Sequence, residues 1–139
     1  MAVTVETLEK LERKITLTAT IFGLVAIIFG AFGAHALKKV LTPEALVSFE
    51  TGVRYQLYHA LFLLFVATTS LVDDAQKKQI FSMTRFGVLF FSGSIYLLAT
   101  SGITGIDFSP VGWVTPLGGA LLISAWIVLF ISVYKKKNE

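Results

Sequence analysis

The feature that most constrains this chain is residues 15–34, a stretch without a single ionisable side chain. Crossing the hydrocarbon core of a bilayer takes about 20 mostly apolar helical residues. Counting that stretch, four candidate spans follow one another, at about residues 15–36, 43–72, 80–101 and 116–134. Each must be helical, because backbone groups find no water partner inside lipid. The sequence therefore predicts an all-α integral membrane protein, a bundle of four transmembrane helices.

The composition supports a membrane protein and narrows its chemistry. Of 139 residues, 55% are hydrophobic and 15% are charged, whereas soluble domains are about a quarter charged. The chain contains no cysteine, which excludes disulfides, thiolate metal sites and cysteine nucleophiles. Lysines lie in short clusters beside apolar runs, so we expect no nucleic-acid partner.

The basic residues divide unevenly between the two sides of the predicted bundle. Nine would share a side with both termini, and three would lie opposite. The nine are Lys10, Arg13, Lys14, Lys77, Lys78, Arg85, Lys135, Lys136 and Lys137, and the three are Lys38, Lys39 and Arg54. Cytoplasmic segments are enriched in such residues, which predicts both termini in the cytoplasm. The domain organisation is then an amphipathic cytoplasmic segment 1–14, a transmembrane domain 15–134 and a basic cytoplasmic tail 135–139.

An alternative for the N-terminal region is a cleavable signal peptide. Residues 10–36 have a basic start, an apolar stretch and a cleavage-like Ala34-His35-Ala36. The apolar region of a signal peptide usually has about 7–15 residues, and this one is long enough to span. We therefore interpret it as the first transmembrane helix.

Small residues recur at helical spacing in the first and last spans. Helices associate in lipid through close backbone approach and polar contacts, so such stripes are typical of packing faces. The expected packing residues are Ala19, Gly23, Ala26, Gly30, Gly33, Ala34, Ala120 and Ser124. They could pack helices within one bundle or against another copy of the chain.

Arg85 is the one charge inside the third span, about one and a half turns from its predicted cytoplasmic end. Long basic side chains near helix ends extend to the lipid headgroups. We expect Arg85 to contact headgroups, with an inward-facing role as the alternative.

Polar side chains concentrate toward the predicted outer side. His35 ends the first span, His59 lies about one turn inside the second, and Asp107 lies in the last loop. The expected outer polar cluster is His35, Arg54, Tyr55, Gln56, His59, Tyr96 and Asp107. Glu50 stands four residues before Arg54, in the order that favours an ion pair.

Three roles are open for this cluster, since ionisable groups are costly at membrane depth. It could hydrogen-bond one helix to another, bind a lipid headgroup or small solute, or handle metal ions or protons. Two histidines without a third ligand support a metal site poorly. The sequence has no nucleophile elbow, phosphate-binding glycine loop or paired-carboxylate site, so we expect neither an enzyme nor a cofactor.

Four stretches carry a resemblance to a known family. They are GAFGAHAL at residues 30–37, FETGVRYQLYHAL at 49–61, FSGSIYLL at 91–98 and TPLGG at 115–119. In this order they resemble a family of small bacterial inner-membrane proteins catalogued as domain of unknown function 423, which has small eukaryotic transmembrane counterparts. The resemblance implies four spans in the bacterial inner membrane. Members of that family lack an agreed activity, so it implies no catalytic residues.

Two functions remain as expectations. The first is a structural, assembly or accessory subunit that packs with itself as a homo-oligomer or with a larger membrane complex. The alternative is a lipid- or small-solute-binding or transport protein that uses the outer polar cluster. Membrane lipids are expected partners in both cases.

Overall fold

A computed structural model describes residues 4–136 of the chain. Four long α-helices account for most of them, and the described residues contain no β-strand. The helices are α1 (Val5–Ala34), α2 (Pro43–Thr68), α3 (Asp74–Thr104) and α4 (Val114–Lys136). Short 3-10 turns, Leu37–Lys39 and Ser109–Val111, lie in the first and last connections. The predicted all-helical class is confirmed for this part of the chain.

Local sequence signals determine where the helices begin and end. The Thr42 side chain accepts a hydrogen bond from the Ala45 backbone N–H, and Pro43 occupies the first turn of α2. Asp73 and Gln76 form a reciprocal capping box at the start of α3. Gly105, with φ of 72°, ends α3 in the left-handed conformation that glycine adopts without strain.

The helices differ in extent from the expected spans. α1 runs without a break from Val5, so residues 5–14 are helical and continuous with the first expected span. α2 ends at Thr68, and α3 begins at Asp74, before residue 80. Lys135 and Lys136 belong to the last turn of α4. Residues 1–3 and 137–139 lie outside the described residues.

Consecutive helices pack side by side: α1 on α2, α2 on α3, and α3 on α4. Two polar contacts join the helices at one end of the bundle. Lys77 of α3 donates to Glu12 of α1, and Lys136 of α4 donates to the carbonyl oxygen of Ser70. We call this the basal end. It holds the start of α1, the α2–α3 connection and the end of α4. The opposite, distal end carries the two 3-10 turns.

The backbones approach most closely where α3 crosses α4. A Cβ atom added to Gly118 would lie 2.3 Å from the backbone nitrogen of Phe91. No side chain fits at that separation, so this crossing requires glycine. Gly52 instead makes room for a side chain between α2 and α3, since an added Cβ would lie 2.8 Å from Cε1 of the Tyr96 ring.

Three of the four helices are long and apolar enough to cross a membrane, by length and composition. These are α1 together with the turn that follows it to Lys39, α3 alone, and α4 together with the stretch that precedes it from Ser109. Large apolar side chains on α1 and α4 face outward, for example Ile27 at 66% and Phe130 at 70% exposure. Such surfaces suit a lipid environment. α2 is more polar in its first half, although its 26 residues extend about 39 Å.

Candidate functional site

Two large polar side chains of α2 are buried in the interior, Gln56 and His59, each 4% exposed. Residues three apart share a face of a helix, so both side chains point into the bundle. Together with Ser92, Tyr96 and Trp126, which bond to α2, they form what we call the polar seam.

Gln56 joins three helices through its side-chain amide. Its Nε2 donates to the backbone carbonyl oxygen of Phe22 in α1 at 2.8 Å. Its Oε1 accepts from the Tyr96 hydroxyl of α3, also at 2.8 Å. One turn away, Ser92 Oγ donates to the Gly52 carbonyl oxygen at 2.7 Å. These buried polar groups have their partners inside the chain, as low-polarity surroundings require.

His59 joins α2 to α4. Its Nδ1 lies 2.7 Å from the Tyr55 carbonyl oxygen, which can only accept, so Nδ1 carries the hydrogen. Its Nε2 then accepts a hydrogen bond from the Trp126 Nε1–H at 3.1 Å. This assignment makes His59 a neutral imidazole with both nitrogens occupied. Neither nitrogen is free to ligate a metal in this arrangement.

Two grooves flank the polar seam. The distal groove, about 240 Å³, lies between α1 and α2 and is lined by Phe29, Gly30, Gly33, Phe49, Glu50, Val53 and Arg54. The lateral groove, about 300 Å³, is lined by Tyr55, His59, Phe91, Gly119, Leu122, Ile123 and Trp126. An aromatic wall of Phe29, Phe49 and Tyr96 stands beside the distal groove, with the Tyr96 ring centroid 4.9 Å from that of Phe29 and 5.0 Å from that of Phe49.

The structure brings together only part of the expected outer polar cluster. Gln56, His59 and Tyr96 lie in the polar seam, and Tyr55 contributes its carbonyl while its ring lines the lateral groove. Arg54 lines the distal groove, so it is separate from the seam.

The other two members lie apart. His35 is exposed at the end of α1. Asp107 is exposed in the α3–α4 connection, where the hydroxyl and backbone N–H of Ser109 bond its carboxylate. Those bonds lower the pKa of Asp107. Of the seven residues expected in the outer polar cluster, the structure therefore places three in the polar seam and leaves His35 and Asp107 at the surface.

The small residues of α1 face α2 over most of its length. Ala19, Ala26 and Gly33 are buried, whereas Ala34 is exposed. Added Cβ atoms at Gly23 and Gly30 would meet Ala60 and Val53 at 3.8 and 3.5 Å.

Within the chain, α4 is buried at residues other than Ala120 and Ser124, the two expected packing residues of this helix. Ala120 is exposed, and Ser124 bonds back to the Ala120 carbonyl. Within the chain, α4 is buried instead at Gly118, Leu122, Ala125, Leu129 and Ser132. The offset follows from Gly118, the residue that permits backbone contact with α3.

Arg85 lies against aromatic rings. Its guanidinium carbon is 5.0 Å from the ring centroid of Phe81 and 4.8 Å from that of Phe86. Cations are attracted to aromatic faces at these distances. Its Nε is buried without a hydrogen-bond partner among residues 4–136. Contact between Arg85 and lipid headgroups stays a prediction.

Sequence reasoning missed the role of Lys77, which it treated as a loop charge. Lys77 is 4% exposed, and its Nζ donates to Glu12 Oε1 at 2.9 Å and to the Ala67 carbonyl oxygen at 3.1 Å. The available signal was its position three residues before Ile80 on the buried face of α3. Trp126 was also missed, since nothing near it in sequence indicates His59 as its partner.

No group of three or more His, Cys, Asp and Glu side chains capable of holding a metal ion occurs within the part of the chain that the structure describes. The polar seam can therefore donate and accept hydrogen bonds and align helices, but it offers no cluster of metal ligands or carboxylates.

Comparison with known proteins identifies the family. A family model described as "Protein of unknown function (DUF423)" matches residues 29–119. The chain belongs to this family. The matched range includes the resemblance found in the sequence, which is thereby confirmed, together with the α2 and α3 parts of the polar seam.

Relatives of the chain are named as membrane proteins. It is 35% identical to a UPF0382 membrane protein of Haemophilus influenzae, covering 91% of this chain and 98% of the relative. It is 38% identical to the UPF0382 membrane protein YwdK of Bacillus subtilis, covering 81% and 89%. It is 29% identical to the UPF0382 inner membrane protein YgdD of Escherichia coli, covering 92% and 95%. No solved structure matches the chain.

Proposed function

We propose that this protein is a non-enzymatic accessory or assembly subunit of the bacterial inner membrane, which packs with itself or with a larger membrane complex. The observation that carries the proposal is the saturation of the polar seam. Gln56 and His59, each 4% exposed, use their hydrogen-bonding atoms to join α1, α3 and α4 to α2. Groups so engaged hold helices in register and are not free to act on a substrate.

The membrane topology is part of this proposal. We propose that all four helices cross the bilayer, with the basal end in the cytoplasm. α2 owes its lower hydropathy partly to Gln56 and His59, whose polar atoms are bonded to other helices and not exposed to lipid. Basic residues are concentrated at the basal end, as expected for a cytoplasmic face.

Cysteine labelling tests the topology directly, because the chain has no cysteine of its own. Asp107→Cys places a thiol at the distal end and Lys78→Cys places one at the basal end, both at exposed positions. A membrane-impermeant maleimide added to spheroplasts should label the first variant and not the second. Labelling of the Lys78→Cys variant alone would indicate the opposite orientation. Labelling of both variants at equal rates would contradict the proposed topology.

The accessory role predicts a protein neighbour on an outward-facing helix surface. A photo-crosslinking amino acid at Ile27 of α1 or Phe130 of α4 would sample an exposed apolar surface on each of two helices. We expect one position to give a discrete protein adduct in living cells, with the other as its control. Lipid adducts alone from both positions would contradict the accessory role.

The lateral groove supports a second candidate, the binding or transport of a lipid or small solute. Its walls are mostly apolar, and its rim carries the exposed rings of Tyr55 and Trp126. In a Trp113→Phe background, Trp126 is the remaining tryptophan, so its fluorescence reports on this groove. A saturable change in emission with an added solute would favour this candidate over the accessory role.

A further inference from the structure

Arg85 places a positive charge on α3 well away from the basal end. Lys77, which bonds Glu12, marks that end. Arg85 follows it by eight residues of the same helix, which is about 12 Å along the axis. The hydrocarbon core of a bilayer is about 30 Å thick, so in the proposed topology the backbone of Arg85 lies inside it. The rings of Phe81 and Phe86, 5.0 and 4.8 Å from the guanidinium carbon, hold the charge beside its own turn of α3.

This charge has no anion as its partner within residues 4–136. The ion pairs there are Lys10–Glu6 and Lys77–Glu12, and Nε of Arg85 is buried without a hydrogen-bond partner. Charged side chains at membrane depth almost always pair with another group, because an unpaired charge in lipid is costly. Aromatic rings attract a guanidinium but leave its N–H groups without oxygen acceptors. Arg85 can therefore bind an anion that comes from outside the chain.

A glycine further along α3 is not required by packing within the chain. A Cβ atom added to Gly93 would meet nothing within 4 Å, yet glycine inside a helix costs about 1 kcal/mol relative to alanine. Leu89 and Leu97, one turn to either side, are 52% and 43% exposed. Gly93 therefore leaves a gap in an outward-facing surface. In lipid, a glycine at such a position lets the backbone of a second helix approach closely.

The charge and the gap lie along one side of α3, which we call the α3 outer face. Its residues follow one another at helical spacing and, apart from the half-buried Arg85 and Gly93, are exposed. They are Arg85, Phe86, Leu89, Gly93 and Leu97. A surface with one cation and one glycine gap fits a helix that carries an anion.

We propose that the α3 outer face docks a transmembrane helix of another protein, and that an aspartate or glutamate of that helix pairs with Arg85. The proposal rests on the accessory role and names the chemistry of the partner. A guanidinium binds a carboxylate through two parallel N–H groups. A second copy of the chain would not supply this carboxylate, because its apolar runs contain no Asp or Glu (residues 15–34, 55–72, 80–101 and 116–134). A lipid phosphate would satisfy the charge but would not require the gap at Gly93.

Designed transmembrane peptides test this proposal with the full chain in lipid vesicles. Each peptide is a helix of leucine and alanine with one aspartate or one asparagine at the depth of Arg85. Energy transfer from a labelled peptide to a fluorophore on Lys78→Cys, an exposed site in a chain without other cysteines, measures association. The chain should bind the aspartate peptide about fivefold more tightly than the asparagine peptide, the size expected of one polar contact between helices in lipid.

Substitutions in this labelled chain separate the charge from the gap. Arg85→Gln should bind both peptides equally, because the preference for aspartate comes from the guanidinium. Gly93→Leu should weaken the binding of both peptides and keep the preference. Gly102→Leu is the matched control, since an added Cβ there also meets nothing within 4 Å, and it should bind like the unsubstituted chain.

Equal binding of the two peptides by the unsubstituted chain would overturn the proposal and assign Arg85 to lipid headgroups. Equal effects of Gly93→Leu and Gly102→Leu would also overturn it. The accessory role is judged separately, by the protein adducts at Ile27 and Phe130 in living cells. A protein adduct there together with equal peptide binding would leave the accessory role standing and reject the α3 outer face as its docking surface.

Discussion

The side-chain nitrogen of Gln56 lies 2.8 Å from the backbone carbonyl oxygen of Phe22, so a buried amide of α2 bonds directly to the main chain of α1. A backbone acceptor survives any substitution of Phe22, so this contact depends on the position of α1 more than on its side chains. The other end of the same amide accepts from Tyr96. Gln56 therefore fixes α1 and α3 relative to each other through α2.

The hydrogen bond between Trp126 and His59 should contribute measurably to stability. Trp126→Phe keeps an aromatic ring but removes the donor, which leaves His59 Nε2 unpaired in the interior. We expect a loss of about 1 kcal/mol in the free energy of unfolding, measured by SDS titration in mixed micelles. Trp113→Phe, at a 67% exposed position in the last connection, is the matched control and should change little. Equal effects of the two substitutions would refute the role of this bond.

The crossing of α3 and α4 should not tolerate a methyl group at Gly118. The added carbon in Gly118→Ala would overlap the backbone of Phe90 and Phe91, which cannot move without separating the helices. We expect a loss of about 2 kcal/mol or more in the same unfolding measurement. Gly102→Ala is the control, because nothing lies within 4 Å of its added carbon. That variant should be neutral or slightly stabilised, since alanine is the better helix former, and a neutral Gly118→Ala would contradict the described crossing.

Because the ammonium of Lys77 is buried, removing its partner Glu12 should cost more stability than removing Lys77 itself. Glu12→Gln leaves that ammonium with the Ala67 carbonyl as its remaining described partner, so we expect a cost of about 2 kcal/mol. Lys77→Met replaces the ammonium by an apolar group of similar length and leaves a half-exposed carboxylate, so it should cost less.

The comparison uses the exposed Lys10–Glu6 pair as its reference. Glu6→Gln should have no measurable effect on unfolding, because exposed ion pairs contribute little. If Glu12→Gln proved as harmless as Glu6→Gln, Lys77 would not be buried as described.

Much of the architecture could be predicted from the sequence, because lipid leaves few choices to a long apolar run. The four helices and the start of α2 at Pro43 follow from apolar length and from local capping chemistry. The faces that meet were harder to predict. Ala120 and Gly118 are both small, but only the distance to Phe91 distinguishes them as exposed and buried.

The candidate site was predictable by residue type but not by partner. Gln56, His59 and Tyr96 stood out as polar residues at membrane depth. Asp107 was expected on the same side of the membrane as these residues. Its carboxylate instead accepts a local hydrogen bond from the backbone N–H of Ser109, within the connection between α3 and α4. Trp126 and Lys77 were missed because an indole on an apolar helix and a lysine after a turn both have ordinary explanations. Only the rotation of each helix reveals that Lys77 faces inward and that the half-exposed Trp126 reaches His59.

The measurement that most directly tests the structural role of the polar seam is a double-mutant cycle between Gln56 and Tyr96. The variants Gln56→Leu, Tyr96→Phe and their combination would be unfolded by SDS in mixed micelles, with Gln79→Leu as an exposed control on α3. If the polar seam holds the helices together, both single variants should lose stability and the control should not. The interaction free energy between Gln56 and Tyr96 should be about 0.5–1.5 kcal/mol. Single variants as stable as the control, with additive effects, would contradict it.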